Sequence, residues 1–114
     1  MPLLYDSTAG IFNGEKDYYD ENDSPDSIGH YAKSKYLGEK YVLKQSSQYL
    51  ICRAGWMIGG GPRKDKKFIQ KLICQLADGA DELYVVNNKL GTPTYTHDFS
   101  PNVRLLIEKG KTGL

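Results

Sequence analysis

The chain has 114 residues, of which 39% are hydrophobic and 25% are charged, and its formal net charge at pH 7 is +1. We expect a single domain over residues 1–114, and the near-neutral charge excludes the electrostatic footprint of a nucleic-acid-binding protein. No apolar run approaches the ~20 residues that a membrane-spanning helix needs, and no charged-then-apolar leader is present, so we expect a cytoplasmic protein with no membrane partner.

The two cysteines and two histidines are the residues on which a transition-metal site would depend. Cys52 lies in an apolar, strand-like run and Cys74 in a helix-like run, and they are not spaced as a C-x-x-C pair. We expect both to be buried free thiols. His30 and His97 have no other potential metal ligands at a suitable spacing, so the sequence predicts no metal site.

The first predicted element is a short strand at Leu3–Tyr5. The hydroxyl residues Ser7 and Thr8 follow it, an arrangement typical of the mouth of a site. Residues 15–27 contain six acidic residues and Pro25, which predicts an exposed loop.

A helix is predicted from about Gly29 to Gln45, with Ser27 as its N-cap. Gly38 lies inside this helix, where glycine costs about 1 kcal/mol relative to alanine. We therefore expect another part of the chain to pack closely against Gly38.

Tyr31 and Lys35 are four positions apart and share one face of the predicted helix. An ammonium in that position favours the ionised form of a phenol, which makes the tyrosine a usable proton donor or acceptor. The spacing alone is weak, because Tyr36 and Lys40 repeat it and an ordinary amphipathic surface helix also explains it.

Residues Tyr49–Ile58 read as one strand that is apolar on both faces, typical of a central parallel strand, with Arg53 as the exception. The glycines at 59–61 end this strand. Residues 63–67 open a predicted helix whose apolar positions keep helical spacing as far as Gly79. Residues 55–67 match neither of the two glycine-rich phosphate-binding patterns, G-x-x-x-x-G-K-[ST] and G-x-G-x-x-G.

Leu83–Val86 is predicted as a third strand, Leu90–Thr94 as a turn, and a last helix runs from about Asp98 or Pro101 to Lys109. Strands that alternate with helices indicate an α/β fold with parallel pairing. We predict a partial, Rossmann-like sheet of about three strands with about three helices.

Several segments, in this order, resemble the extended short-chain dehydrogenase/reductase superfamily. Within it the chain is most similar to dTDP-4-dehydrorhamnose reductases, and next to NAD-dependent sugar-nucleotide epimerases and dehydratases. The resemblance extends from about residue 4 to the end, and the segments that carry it are Ser7–Gly14, Tyr31–Lys35, Gly38–Glu39, Arg53–Trp56 and Gly91–Tyr95.

The resemblance implies a catalytic role for three residues. Tyr31 passes a proton to or from a sugar oxygen while a hydride moves at the adjacent carbon. Lys35 assists Tyr31 and binds the nicotinamide ribose, so both residues also belong to the cofactor site. Thr8, or less readily Ser7, holds the substrate oxygen.

The resemblance also implies contacts with a sugar nucleotide. Arg53 and Arg63 are placed to meet its diphosphate, although a basic run such as 63–67 is more often a solvated helix start. Gly91 and Thr92 lie in a segment that resembles the one closing over the substrate. The alternative there is an ordinary strand-to-helix turn.

The resemblance covers less than half of an intact family member, because no glycine-rich turn for a dinucleotide pyrophosphate lies within these residues. We expect NAD or NADP in the intact family, but none bound by residues 1–114 alone. The predicted function is that of a truncated sugar-nucleotide oxidoreductase, inactive by itself. The alternative is a non-catalytic binding or assembly module on the same scaffold. A free strand edge and a thin core predict a homodimer or higher oligomer.

Overall fold

The computed structural model describes residues 1–114 as two small parallel sheets with four α-helices. In chain order the elements are β1 Leu3–Thr8, a 3-10 turn Ala9–Ile11, α1 His30–Gln45, β2 Tyr49–Ala54, β3 Trp56–Ile58, α2 Gly61–Lys64, α3 Phe68–Ala77, β4 Pro93–Tyr95 and α4 Thr96–Glu108. β1 pairs with β2 and β3 pairs with β4, both in parallel. The predicted α/β class with parallel pairing is confirmed. None of the helices is both long and apolar enough to cross a membrane.

The first sheet carries three of the predicted site residues, Ser7 and Thr8 on β1 and Arg53 on β2. Its register runs from Leu3 opposite Tyr49 to Thr8 opposite Ala54. The far edge of β2 is covered by Gly113, whose backbone N–H donates to the Tyr49 carbonyl at 2.7 Å. β1 has no second neighbour and is therefore an edge strand.

α1 packs on one face of this sheet, and α4 lies across a groove on the other. Successive side chains of a strand point to opposite faces. Tyr5 contacts α1, whereas Leu4 faces α4. The core is thin, because only nine of the 114 residues are buried. Its apolar members are Ile11, Ala32, Val42, Leu50, Ile51, Ala54 and Val103.

The prediction that Ser27 caps α1 is wrong. Gly29 occupies the N-cap position with φ 80°, a conformation that glycine adopts without steric cost. The Ser27 hydroxyl instead donates to the Ile11 carbonyl at 3.1 Å, and so ties the acidic loop to the 3-10 turn.

The single strand predicted over Tyr49–Ile58 is divided at Gly55. At this residue the chain leaves the first sheet and enters the second. A Cβ atom at Gly55 would lie 2.1 Å from the Thr92 carbonyl oxygen, so only glycine permits this approach. The Gly55 N–H donates to Thr94 Oγ1 at 3.0 Å, which fixes the crossing point.

The strand predicted at Leu83–Val86 is not formed, and the strand of this region is β4, which begins within the predicted turn Leu90–Thr94 and ends at Tyr95. Tyr84 and Val86 are 89% and 67% exposed, so their β-branched and aromatic side chains have nothing to pack against. Residues with a high β-propensity therefore do not form a strand here, because no other strand pairs with them.

The helix predicted to open at 63–67 is also divided. α2 ends at Lys64, Asp65 has an extended backbone, and α3 begins at Phe68. Residues of α3 have the predicted helical spacing, but none of them is buried. Cys74 of α3 is consequently exposed, which corrects the prediction of a buried thiol.

Cys52 is half-buried and faces a groove of about 510 Å³ between the first sheet and α4. Burial raises the pKa of its thiol, and the nearby Asp6 carboxylate acts in the same direction. A raised thiol pKa keeps Cys52 protonated at neutral pH and makes it a poor nucleophile.

Candidate functional site

The carboxyl end of β1 and the first two turns of α1 meet at the residues that the sequence predicts to be reactive. Lys35 Nζ donates a hydrogen bond to the backbone carbonyl of Asp6 at 2.8 Å. Asp6 precedes Thr8 by two residues, so the Lys35 ammonium is held near the end of β1. This bond uses one of the three N–H donors of the ammonium and leaves the others for a ligand.

Tyr31 lies one helical turn before Lys35 and is 67% exposed. Its hydroxyl makes no hydrogen bond within the chain, so both its proton and its lone pairs are available to a ligand. Thr8 Oγ1 accepts a hydrogen bond from the Gly10 N–H at 3.1 Å and thereby caps the 3-10 turn. The Thr8 hydroxyl proton remains free to be donated.

Tyr5 of β1 contacts Lys35 at both its backbone and its side chain. Its hydroxyl donates to the Lys35 carbonyl at 3.1 Å, and Lys35 Nζ lies 5.4 Å from the centroid of its ring. Gly38 makes this approach possible, because a Cβ atom there would lie 2.0 Å from Tyr5 Oη. The close packing that the sequence predicts at Gly38 is confirmed.

Replacing Gly38 by alanine is expected to lower the free energy of unfolding by about 0–2 kcal/mol. Overpacking against Tyr5 costs about 1–3 kcal/mol, whereas alanine in a helix gains about 1 kcal/mol. Urea denaturation of the purified chain measures the difference. In a Tyr5→Leu background the clash is removed, so Gly38→Ala should stabilise. A destabilisation of equal size in both backgrounds would contradict this explanation.

Two predicted substrate-binding residues, Ser7 and Arg53, face α1 instead of solvent. Ser7 is 5% exposed and its Oγ has no partner within the chain. Arg53 donates to Glu39 through two nitrogens, Nε to Oε1 at 3.0 Å and Nη2 to Oε2 at 2.7 Å. Its Nη1 is buried without a partner. Substrate contacts by these residues remain predictions.

The other predicted substrate-binding residues lie in the segments next to the second sheet. Arg63 is exposed on the short helix α2. Thr92 accepts a hydrogen bond from the Trp56 N–H at 2.8 Å through its carbonyl. Gly91 packs against the Trp56 ring, where a Cβ atom would lie 2.4 Å from a ring carbon. Gly55 links the two sheets, and Thr92 approaches the chain at this link. Substrate contacts by Arg63, Gly91 and Thr92 remain predictions.

The sequence analysis assigned no role to Glu39, although its carboxylate is the partner of Arg53. A signal for it was nevertheless present. Glu39 is the only acidic residue of α1, and Arg53 is the only charged residue of β2. A single acidic residue in one element and a single basic residue in the next, largely apolar element indicate a buried ion pair between them.

No group of three or more His, Cys, Asp or Glu residues is arranged to hold a metal ion. The groove beside Cys52 lies on the α4 side of the first sheet, opposite the face that carries Tyr5 and α1. The groove therefore lies on the face of the sheet opposite α1, the helix that carries Tyr31 and Lys35.

These features define an α/β domain of partial Rossmann-like architecture that presents a threonine, a tyrosine and a lysine near the end of a parallel strand. The chain belongs to the RmlD substrate binding domain family, whose model matches residues 1–113. The predicted resemblance to dTDP-4-dehydrorhamnose reductases is confirmed.

Known proteins similar to this chain are considerably longer. A dTDP-4-dehydrorhamnose reductase of Sinorhizobium fredii (strain NBRC 101917 / NGR234) is 34% identical over 110 residues, which are 96% of this chain and 36% of that protein. Methionine adenosyltransferase 2 subunit beta of Danio rerio is 28% identical over 107 residues, 94% of this chain and 33% of that protein.

Among solved structures, the dTDP-4-dehydrorhamnose reductase of Bacillus anthracis str. Ames in complex with NADP superposes with a TM-score of 0.89. It is 32% identical, and the match covers 98% of this chain and 39% of that one. This chain therefore spans between a third and two fifths of the length of the proteins it matches.

Proposed function

We propose that the chain supplies the proton-transfer residues and the sugar-nucleotide side of a dTDP-4-dehydrorhamnose reductase-like oxidoreductase, and that residues 1–114 alone do not turn over. The observation that carries this proposal is the Lys35 ammonium, held at the Asp6 carbonyl near Thr8 and one turn from the exposed Tyr31. The proposed substrate is dTDP-4-dehydrorhamnose, in keeping with the names of the relatives.

In this mechanism Tyr31 donates its phenolic proton to the oxygen of the sugar carbonyl as that carbonyl is reduced. Lys35, one helical turn from Tyr31, places a positive charge and unused N–H donors on the same face of the helix. Thr8 donates a hydrogen bond to the same sugar oxygen and orients it. This assignment is supported by the hydrogen bonds described above, which leave the Tyr31 hydroxyl unpaired and use only one donor of Lys35 and only an acceptor of Thr8 Oγ1.

A nicotinamide cofactor supplies the hydride when it is bound. We propose that Lys35 binds the ribose of such a cofactor, because its bond to the Asp6 carbonyl leaves two N–H donors of the ammonium unused. A glycine-rich turn for the pyrophosphate is not found within residues 1–114. We therefore propose that NADPH binds only when the complementary part of a reductase is also present.

The experiment replaces the matching segment of the Bacillus anthracis reductase by this chain and measures NADPH oxidation with dTDP-4-dehydrorhamnose. We expect turnover by this chimera, and neither turnover nor micromolar NADPH binding by residues 1–114 alone. An inactive chimera that is folded and binds NADPH would refute the proposed function. Micromolar binding by the isolated chain would reveal an unrecognised phosphate site.

A second candidate function is favoured by the similarity to Methionine adenosyltransferase 2 subunit beta, whose name describes a subunit of an enzyme. In that case the scaffold serves assembly with another protein, and the Tyr31 hydroxyl has no chemical role. The same chimera separates the two candidates, because an assembly module has no need to preserve the geometry of reduction.

We also propose that the isolated chain forms a homodimer or higher oligomer. Its radius of gyration is 16.7 Å, whereas a compact chain of this length has about 13 Å. Leu3 and Leu4 on the free edge of β1 are 51% and 43% exposed. We expect sedimentation velocity to show a species larger than 12.8 kDa at micromolar concentration. A folded monomer under those conditions would contradict this expectation.

A further inference from the structure

Glu39 and Arg53 form a buried ion pair of well-defined geometry. The side chain of Glu39 is fully buried and that of Arg53 is 13% exposed. Each carboxylate oxygen accepts from a different guanidinium nitrogen, at 3.0 and 2.7 Å. Two parallel hydrogen bonds of this kind fix the relative orientation of the partners as well as their separation.

Glu39 lies on the same stripe of α1 as the proposed reactive residues. Tyr31, Lys35 and Glu39 follow one another at steps of four positions, so their side chains lie nearly above each other. Any rotation of α1 about its axis that displaces Glu39 displaces Tyr31 and Lys35 in the same sense.

Arg53 connects this stripe to the segment that carries Thr8. In the sheet Arg53 lies opposite Ser7, directly before the pair formed by Ala54 and Thr8. Its guanidinium carbon is 5.4 Å from the centroid of the Phe12 ring, and Phe12 ends the 3-10 turn that Thr8 caps. The ion pair therefore joins α1, β2 and the chain that follows Thr8.

Stability alone does not explain the choice of an ion pair here. The desolvation of two buried charges offsets most of their attraction, so a well-packed apolar pair of similar volume is commonly as stable. What an apolar pair lacks is the directional constraint of the two hydrogen bonds.

We propose that Glu39 and Arg53 are positioning residues, which hold α1 at one rotation so that Tyr31 and Lys35 face the end of β1. The effect on turnover rests on the proposed function, whereas the effect on the position of α1 does not. This role differs from the substrate contact that the sequence predicts for Arg53.

The test compares the unmodified chain with the double variant E39M/R53M. We expect this variant to fold and to melt near the temperature of the unmodified chain, because the substitution removes both buried charges together. In NMR spectra we expect loss of the nuclear Overhauser contacts from the Tyr5 ring to the Gly38 α-protons and to the Lys35 side chain. Retention of these contacts would overturn the proposal.

The matched control is R104M/E108M, which removes an exposed pair of the same residue types on α4. It should leave every contact of Tyr5 unchanged. A second variant, Arg53→Lys, keeps the positive charge but cannot form both parallel bonds. It should weaken the same Tyr5 contacts, and it decides the question if E39M/R53M does not fold. Wild-type contacts in Arg53→Lys would show that the paired geometry is not required.

In the reductase chimera, E39M/R53M should lower kcat by up to about 100-fold, as expected for a displaced catalytic group, with little change in the KM for the sugar nucleotide. A kcat equal to that of the R104M/E108M chimera would overturn the positioning role. If the unmodified chimera is inactive, the proposed function fails, and the NMR comparison on the 114-residue chain still decides whether the pair positions α1.

Discussion

Replacing Tyr31 by phenylalanine in the reductase chimera is expected to lower kcat by about 10²–10⁴-fold, the usual contribution of a positioned proton donor. The substitution removes only a hydroxyl that is exposed and makes no hydrogen bond in the chain. Folding and sugar-nucleotide binding should therefore change little. Initial rates of NADPH oxidation at saturating substrate measure the effect.

Tyr36→Phe provides the matched control, because Tyr36 and Lys40 repeat the spacing of Tyr31 and Lys35. Lys40 Nζ lies 4.4 Å from the centroid of the Tyr36 ring, an interaction that phenylalanine preserves. We expect Tyr36→Phe to retain most of the activity. Equal losses in the two variants would mean that the reactive tyrosine is assigned incorrectly.

Replacing Glu39 by alanine is expected to lower the free energy of unfolding by about 3–5 kcal/mol, because it leaves the charge of Arg53 buried without a partner. Slight exposure of the Arg53 side chain favours the lower end of this range. The total stability of a domain is about 5–15 kcal/mol, and the core of this chain is thin. The variant should therefore be close to unfolding at 25 °C, as urea denaturation followed by circular dichroism will show.

Glu108→Ala is the control for Glu39→Ala. Glu108 accepts from Arg104 Nε at 2.7 Å, but the two side chains are 54% and 80% exposed. An exposed pair at this spacing contributes about 0.3–0.5 kcal/mol. A loss for Glu39→Ala no larger than the loss for Glu108→Ala would show that Arg53 reaches water when its partner is removed.

Local signals predicted several elements correctly. The helix expected from Gly29 to Gln45 was found at His30–Gln45, and the glycine in its interior marked a close contact. The last helix was found at Thr96–Glu108. In these segments the spacing of residues within one element carries the information, so neighbours far along the chain are not needed.

The predictions of secondary structure were wrong where a contact with a distant part of the chain decides the local structure. Leu83–Val86 has strand-like residues but no neighbour, whereas Pro93–Tyr95 forms a strand because β3 lies beside it. Gly55 divides an apolar run because the Thr92 carbonyl approaches its backbone. The capping role of Ser27 was lost to Gly29 because the Ser27 hydroxyl bonds to Ile11.

For the candidate site, the order of the predicted site residues and the place of Tyr31 and Lys35 on one helical face can be read from the residues alone. The packing of the elements is needed to show that the Lys35 ammonium lies at the Asp6 carbonyl and that Arg53 turns inward to Glu39. Helical spacing is a local property of 3.6 residues per turn and can be read from the residues alone. Which buried charges meet depends on how β1, β2 and α1 pack, and that is settled by contacts between residues far apart in the chain.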